Sequence, residues 1–269
     1  MSKAKDSSAA QSAASASNLG LAGVLGLRGI SAREAVSGLV VRAGRSLLSS
    51  PATRATLYPA FMEAAALRDL LAPFAPPADL DDVLLECIRV HLELLLRWNQ
   101  HMNLTSLRNA DAMVERHFGE SIFAARHLCP RVAHQSLMDI GSGAGFPGLP
   151  IKYWAPGLQL TVIEGHGKKA TFLREVGRAL RLTAFVVLNS RVESLSGKCA
   201  DLVTLRAVEQ FEQVLPVAQT LVGPGGRLAM LIGESQRERA LSLLPAGESS
   251  SLTIPCSQQR ILLTWRPTA

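Results

Sequence analysis

Hydrophobic residues recur along this 269-residue chain in two rhythms, one helical and one strand-like, and the change from the first to the second predicts its organisation. From Phe61 to Leu71, Ala, Leu and charged residues alternate at helical spacing until the Pro73–Pro77 cluster stops them. Asp79 then reads as a helix N-cap, with Asp81 and Asp82 in a first turn where the helix dipole favours acids. Leu84, Cys87, Ile88, His91, Leu95 and Trp98 follow at i, i+3, i+4, i+7, i+11 and i+14, one wide apolar stripe. His91 on that stripe reads as a satisfied core histidine. Asn109 caps a further helix, Ala110 to His127. Residues 61–130 are therefore expected to form a helical subdomain ahead of a sheet.

Short apolar runs take over after residue 131. Leu137–Ile140, Leu158–Ile163, Ala184–Leu188, Asp201–Leu205 and Arg227–Ile232 read as strands. Helical stretches stand between them, one carrying Phe172, Leu173, Val176 and Leu180 on a single face, another running from Val208 to Leu221. Pro224-Gly225-Gly226 reads as a turn. Ser251–Pro255 and Ile261–Trp265 leave no room for a helix between them and predict an antiparallel edge hairpin. The expected fold of residues 131–269 is α/β, a doubly wound, mostly parallel seven-stranded sheet with an antiparallel terminal hairpin.

Composition narrows the class. A 48% hydrophobic, 19% charged chain suits a soluble globular protein, and no run of eighteen uncharged apolar residues occurs, so no membrane span is expected. The net charge of +6 is uneven, because residues 1–60 hold seven Lys/Arg against two Asp/Glu. The body after residue 60 is close to neutral, so any nucleic-acid contact must rest on a local patch. Residues 1–60 are Ser/Ala-rich, then mixed with isolated arginines. They are expected to be a disordered, dispensable extension, with a targeting segment or a mis-assigned start, Met62 being one candidate, as the alternatives. Cys87, Cys129, Cys199 and Cys256 form no C-x-x-C pair, which points to buried, reduced thiols and a cytoplasmic protein. The six histidines show no ligand spacing, and no metal is expected.

The densest chemistry lies in Leu137–Ile151, where a strand ends at Asp139-Ile140 and Gly141, Gly143 and Gly145 follow before a helix opens at Gly148 and Pro150. Such a turn is either an ordinary strand–helix connection or a ligand cradle at the carboxyl edge of a parallel sheet. Position 146 is Phe, so the loop is G-x-G-x-G rather than the dinucleotide pattern G-x-G-x-x-G. Glu164 closes the second strand, where a carboxylate can accept hydrogen bonds from two ribose hydroxyls or stand as a plain loop acid. Ribose recognition beside a glycine loop, without a diphosphate site, points to S-adenosylmethionine. Lys168, Lys169, Arg174, Arg178 and Arg181 gather on one helix, as a solvated face or as a surface that tracks RNA phosphates.

Five segments together resemble one family. They are Trp98-Asn99-Gln100-His101-Met102-Asn103-Leu104-Thr105, the His117-x-x-Glu120-Ser121 helix, the Asp139–Gly148 loop, Ser190-Arg191-Val192-Glu193 and Leu205-Arg206-Ala207. In order and spacing they resemble the RsmG/GidB family, bacterial small-subunit (16S) ribosomal RNA methyltransferases acting on guanine N7. The resemblance spans roughly residues 80–265. It implies a Rossmann-like class I S-adenosylmethionine-dependent methyltransferase behind an N-terminal helical cap, acting on the ribosomal RNA or its ribonucleoprotein as a monomer. It also implies that Gly141 and Phe146 contact the cofactor, that Val192 and Glu193 lie beside its adenine, and that Arg206 reaches cofactor or RNA. Asn103 and Arg191 match polar positions of the family's site. Glu120 stands where the family commonly has Asp, Gly165-His166-Gly167 replaces a more usual turn after the acid, and Ile232 stands where many members place Lys. Guanine N7 carries a free lone pair at neutral pH, so positioning by Arg206, Arg191 and Asn103, rather than a general base, is the expected source of catalysis. Methylation of another RNA, a protein or a small molecule is the alternative, and a binding scaffold with a vestigial cofactor site is the non-enzymatic one.

Overall fold

The computed structural model describes residues 62–268 apart from Ser196 and Lys198, so the expected extension over residues 1–60 lies outside the described residues. The apolar runs of the second half become β1 (Ser136–Ile140), β2 (Gln159–Ile163), β3 (Phe185–Leu188), β4 (Ala200–Arg206), β5 (Val222–Gly233), β6 (Gly247–Thr253) and β7 (Arg260–Pro267). They pair in the order β3-β2-β1-β4-β5-β7-β6. The first five run parallel, whereas β7 is antiparallel to β5 and β6 to β7. A parallel sheet whose order reverses beside β1 and which ends in an antiparallel hairpin is the class I methyltransferase arrangement, and the ligand crevice of such a sheet lies at that switch point.

Side chains along each strand alternate between two layers, as the pleat requires. Leu137, Leu160, Leu202, Ala229 and Leu262 face one core, and Met138, Val203, Leu228, Met230 and Leu263 face the other. The second core is closed by α7 (Phe211–Thr220) and α8 (Arg237–Leu243). The first is closed by α5 (Gly148–Trp154) and α6 (Gly167–Ala179), and it continues without a break into the helices before the sheet. Those are α1 (Ala64–Leu71), α2 (Asp82–Asn99), α3 (Ala110–Met113) and α4 (Glu120–Leu128), with a π-helical turn, Val114–Gly119, joining the last two. Leu84, Ile88, Leu95, Phe118 and Ile122 thus share one core with Leu149 and Phe172. Burying the stripe on α2 against the sheet's own helices is what holds this cap in place.

Several expectations shift. Asp79 sits in a 3-10 turn, Pro77–Asp79, and Asp81 is the N-cap of α2, accepting from the Leu84 N–H at 2.9 Å. The prolines fix that turn and move the helix start forward by two residues. The helix expected over Ala110–His127 is loosened in its middle by the π turn. At its end Gly119 lies so close to Phe74 that a Cβ would fall 2.5 Å from the ring. α7 starts at Phe211 rather than Val208, because Ala207 and Gln210 hold positive φ. Pro224-Gly225-Gly226 lies inside β5, where the pairing with β4 shifts register between Ala200 and Leu202 and Gly225 takes φ +70. The turn residues there make a bulge. α8 has Ala240 as its buried residue and so presents no stripe to read. Cys87 and Cys129 are buried, but Cys199 and Cys256 are exposed. Ile232 is a core residue of β5. Among the described residues no helix is long and apolar enough to cross a membrane.

Candidate active site

The loop after β1 is shaped from beneath by Asp139. Its buried carboxylate accepts from Ser142 Oγ, from Thr204 Oγ1 at 2.7 Å and from the Gly148 N–H at 3.1 Å, closing the loop onto β4 and the start of α5. Burial pushes the Asp139 pKa up to about 6, against the pull of those three donors. Gly141, Gly143 and Gly145 hold φ of +63, +58 and +94, a backbone course that side-chain-bearing residues avoid. A second support comes from α2. His91 Nε2 lies 2.9 Å from the Ala144 carbonyl, which can only accept, so the proton is on Nε2 and Nδ1 accepts from Tyr153 Oη at 3.0 Å. Burial holds His91 neutral, with its pKa lowered to about 3. It is the satisfied core histidine that its stripe position predicts.

Glu164, at the end of β2, is buried and binds the same loop from the other side. Its Oε2 accepts from the Gly143 N–H at 2.9 Å and its Oε1 from the His166 N–H at 2.7 Å. The Gly165-His166-Gly167 turn therefore folds back on the acid. Asn189 Nδ2 secures it by donating to the carbonyls of Glu164 and Gly165.

These groups form one side of a cleft of about 750 Å³. The other side belongs to the helical cap, which contributes Thr105, Arg116 and His117 to the lining. Arg206, at the end of β4, joins the two. It donates to the Arg116 carbonyl at 2.6 Å, to Glu120 Oε2 at 3.0 Å and to His117 Nδ1 at 3.1 Å. A guanidinium cannot accept, so His117 Nδ1 carries no proton and Nε2–H points at Thr105 Oγ1, 2.7 Å away. Burial first, then the charges of Arg206 and Arg116, lowers the His117 pKa to about 3. Glu120 is buried and also pairs with Arg260 from β7. Desolvation brings the Arg206 and Arg260 pKa values down to about 10, which leaves both charged at neutral pH.

Of the residues expected at the site, Gly141, Gly143, Phe146, Glu164, Arg191, Val192, Glu193, Arg206 and Lys169 line the cleft. Gly145 packs beneath it, where a Cβ would lie 2.4 Å from Leu149 Cδ1. The Phe146 ring lies nearly parallel to His91, 5.1 Å away, and to His117, 4.8 Å away, so it is packed into the floor. Asn103 is outside the lining and accepts from Arg108 at 3.2 Å. Lys168, Arg174, Arg178 and Arg181 are exposed outside the lining, and only Lys169 of that group reaches the rim. Thr105, Arg116 and His117 had been given no role by sequence reasoning, although Thr105 and His117 lie in two of the segments that carried the resemblance.

The lining fits S-adenosylmethionine. The buried Glu164 carboxylate retains lone pairs for ribose hydroxyls beyond the two N–H groups it holds. A side chain at Gly143 would meet nothing closer than a backbone oxygen at 3.8 Å, so its absence leaves the loop open to a ligand. Ser190 Oγ, on the same side, is buried with no hydrogen-bond partner among the described residues. A family model, rRNA small subunit methyltransferase G (GidB), matches residues 85–254.

The chain belongs to the GidB family.

Relatives called ribosomal RNA small subunit methyltransferase G include one from Chloroflexus aggregans, 38% identical over 187 residues that cover 64% of this chain and 77% of that one. Another, from Stenotrophomonas maltophilia, is 39% identical over 65% of this chain and 83% of its own. Among solved structures, a ribosomal protein L11 methylase from Lactobacillus delbrueckii subsp. bulgaricus superposes with a TM-score of 0.49 and 11% identity, over 57% of this chain and 80% of that one. The GidB match takes in both sides of the cleft, from Thr105 to Arg206.

Proposed function

We propose that this GidB-family chain transfers a methyl group from S-adenosylmethionine to guanine N7 in small-subunit ribosomal RNA. The observation that carries the proposal is the cleft at the sheet's switch point, where the glycine loop and Glu164 face a wall built by the helical cap. Bound there, the cofactor would supply an electrophilic methyl group on a sulfonium. Glu164, Gly143 and Ser190 would hold its nucleoside part, with Val192 and Glu193 beside the base.

The remaining work belongs to the chain. Guanine N7 offers a lone pair, so no side chain has to remove a proton, and His117 is held neutral with both ring nitrogens engaged. The cap supplies the second wall of the cleft, so the polar groups of both sides face one bound ligand. Arg206 gives three of its five N–H groups to His117, Arg116 and Glu120 and so clamps sheet to cap, with the other two left for cofactor or RNA. Lys169, Arg116 and Arg191 line the cleft and would meet the RNA backbone, with the outer arginines of α6 as weaker phosphate contacts. Residues 61–130 are the cap and 131–269 the catalytic part of a monomer working in the cytoplasm.

The test offers radiolabelled S-adenosylmethionine to the full chain with small subunits from cells lacking it, and separately with an RNA-free extract. Label recovered as N7-methylguanine in the ribosomal RNA is the expected result. Label in protein or in a free metabolite would transfer the activity to another substrate class.

A further inference from the structure

At the cap wall the Thr105 hydroxyl has its acceptor capacity filled. Its hydroxyl oxygen lies 2.7 Å from His117 Nε2, and that nitrogen carries the proton because Nδ1 must accept from Arg206. The Leu107 N–H donates to the same oxygen at 3.2 Å. A threonine hydroxyl has two lone pairs and one proton, and both lone pairs are now filled. The group is left with a donor and no capacity to accept. Thr105 lines the cleft, so this donor is offered there. The chain Arg206–His117–Thr105 fixes its polarity, since a guanidinium at the far end cannot be reversed into an acceptor.

We propose that the Thr105 hydroxyl reads the O6 atom of the guanine that is methylated and is thereby a specificity-determining residue. The inference rests on the functional reading above. On the edge that presents N7, guanine shows a second acceptor, O6, whereas adenine shows the N6 amino donor in its place. A donor-only hydroxyl bonds O6. Against adenine it opposes one donor with another and leaves both without partners, the arrangement that rejects a substrate most strongly. The location agrees. Glu164 and Ser190, the groups suited to the nucleoside of the cofactor, belong to the ends of β2 and β3, while Thr105 reaches the cleft from the cap through the β4 end. His117 and Arg206 are positioning residues for this contact.

The test uses the full chain and a ribosomal RNA fragment containing the methylated site, made with guanosine, inosine or 2-aminopurine riboside at that one position. Inosine keeps N7 and O6, and 2-aminopurine keeps N7 but lacks O6. Wild type should show kcat/KM on 2-aminopurine at least about tenfold below that on inosine, the loss expected for one good hydrogen bond. Thr105→Val should lose about tenfold on guanosine and inosine and nothing further on 2-aminopurine. Thr105→Ser, which keeps the hydroxyl, should restore the wild-type pattern. Calorimetric affinity for S-adenosylmethionine should be the same in all three proteins, a readout that an unfolded variant would fail. Equal wild-type rates on inosine and 2-aminopurine would overturn the inference without need of any variant, as would a Thr105→Val loss that is uniform across the three RNAs. N7 transfer without that selectivity would sink this inference alone. No N7-methylguanosine from wild type would sink the functional reading and the inference with it.

Discussion

The two sides of the cleft are built in different ways. The sheet side is mostly short-range: Asp139 binds Ser142 three residues on and Gly148 nine residues on, and Glu164 binds Gly143 across 21 residues, with Thr204 and His91 as its distant supports. The cap side is assembled from afar, with Arg206 bonded to His117 across 89 residues and to Glu120 across 86. One side shapes a backbone around a ligand. The other fixes side-chain protons and charges through buried pairs, and so depends on the whole fold being in place.

The largest effect should come from breaking the cap side. Glu120→Ala leaves the guanidinium of Arg206, and the partly buried one of Arg260, without their carboxylate and should cost about 3–5 kcal/mol in a urea titration. On the opposite side, Glu193→Ala removes an exposed acid and should stay within about 0.5 kcal/mol in the same urea titration. Equal losses would erase the distinction.

Acid should act next, and with opposite signs on the two buried histidines and on Asp139. His91 and His117 have folded pKa values near 3, below the usual 6.5, so between those values the unfolded chain binds protons that the native one refuses. Their contribution to stability is present above 6.5 and is lost as pH falls toward 3. Asp139, raised to about 6 from 3.8, contributes in reverse: its share is present below 3.8 and lost as pH rises through 6. Two histidines outweigh one aspartate, so unfolding midpoints should fall on acidification below 6.5. Asp139→Asn should steepen that fall and His117→Gln should flatten it.

Glycine substitutions grade the sheet side more finely. A Cβ at Gly148 would lie 2.7 Å from both Cβ and Oδ2 of Asp139, so Gly148→Ala should cost about 1–3 kcal/mol and loosen the loop. Gly143→Ala makes only an ordinary contact, 3.8 Å from the Gly141 carbonyl oxygen, and should cost only about 1 kcal/mol for its positive φ, yet it should weaken S-adenosylmethionine binding in calorimetry by more than Gly148→Ala does. The smallest difference concerns charge. Lys169→Ala should lower the salt dependence of RNA binding by about one ion, whereas Arg178→Ala, on the outer face of α6, should change it by less.

The same contrast explains how much could be read from the chain beforehand. The glycine loop, Asp139 and Glu164 were legible because strand, turn and acid follow one another closely, and the strands and the terminal hairpin followed from runs of apolar residues with turns between them. Phe146 was readable as part of the motif but not as a floor residue, since its neighbours His91 and His117 come from elements far away in sequence. Arg206 was placed at the site, yet its role as a clamp depends on Glu120 and on the Arg116 carbonyl, which no local spacing announces. Thr105 had only its neighbours in the motif to mark it. Asn103, two residues earlier, was the polar residue expected at the site, and it turns instead to Arg108. The short helix α8 and the bulge in β5 escaped because one has almost no apolar face and the other borrows the residues of a turn.

The central claim is that this cleft places a methyl group on N7 of a guanine in small-subunit ribosomal RNA. The most direct measurement maps N7-methylguanine along that RNA from cells with and without the protein. Loss of one N7-methylguanine in its absence, restored by wild type and not by Gly143→Ala, is the predicted result. An unchanged methylation map would contradict it.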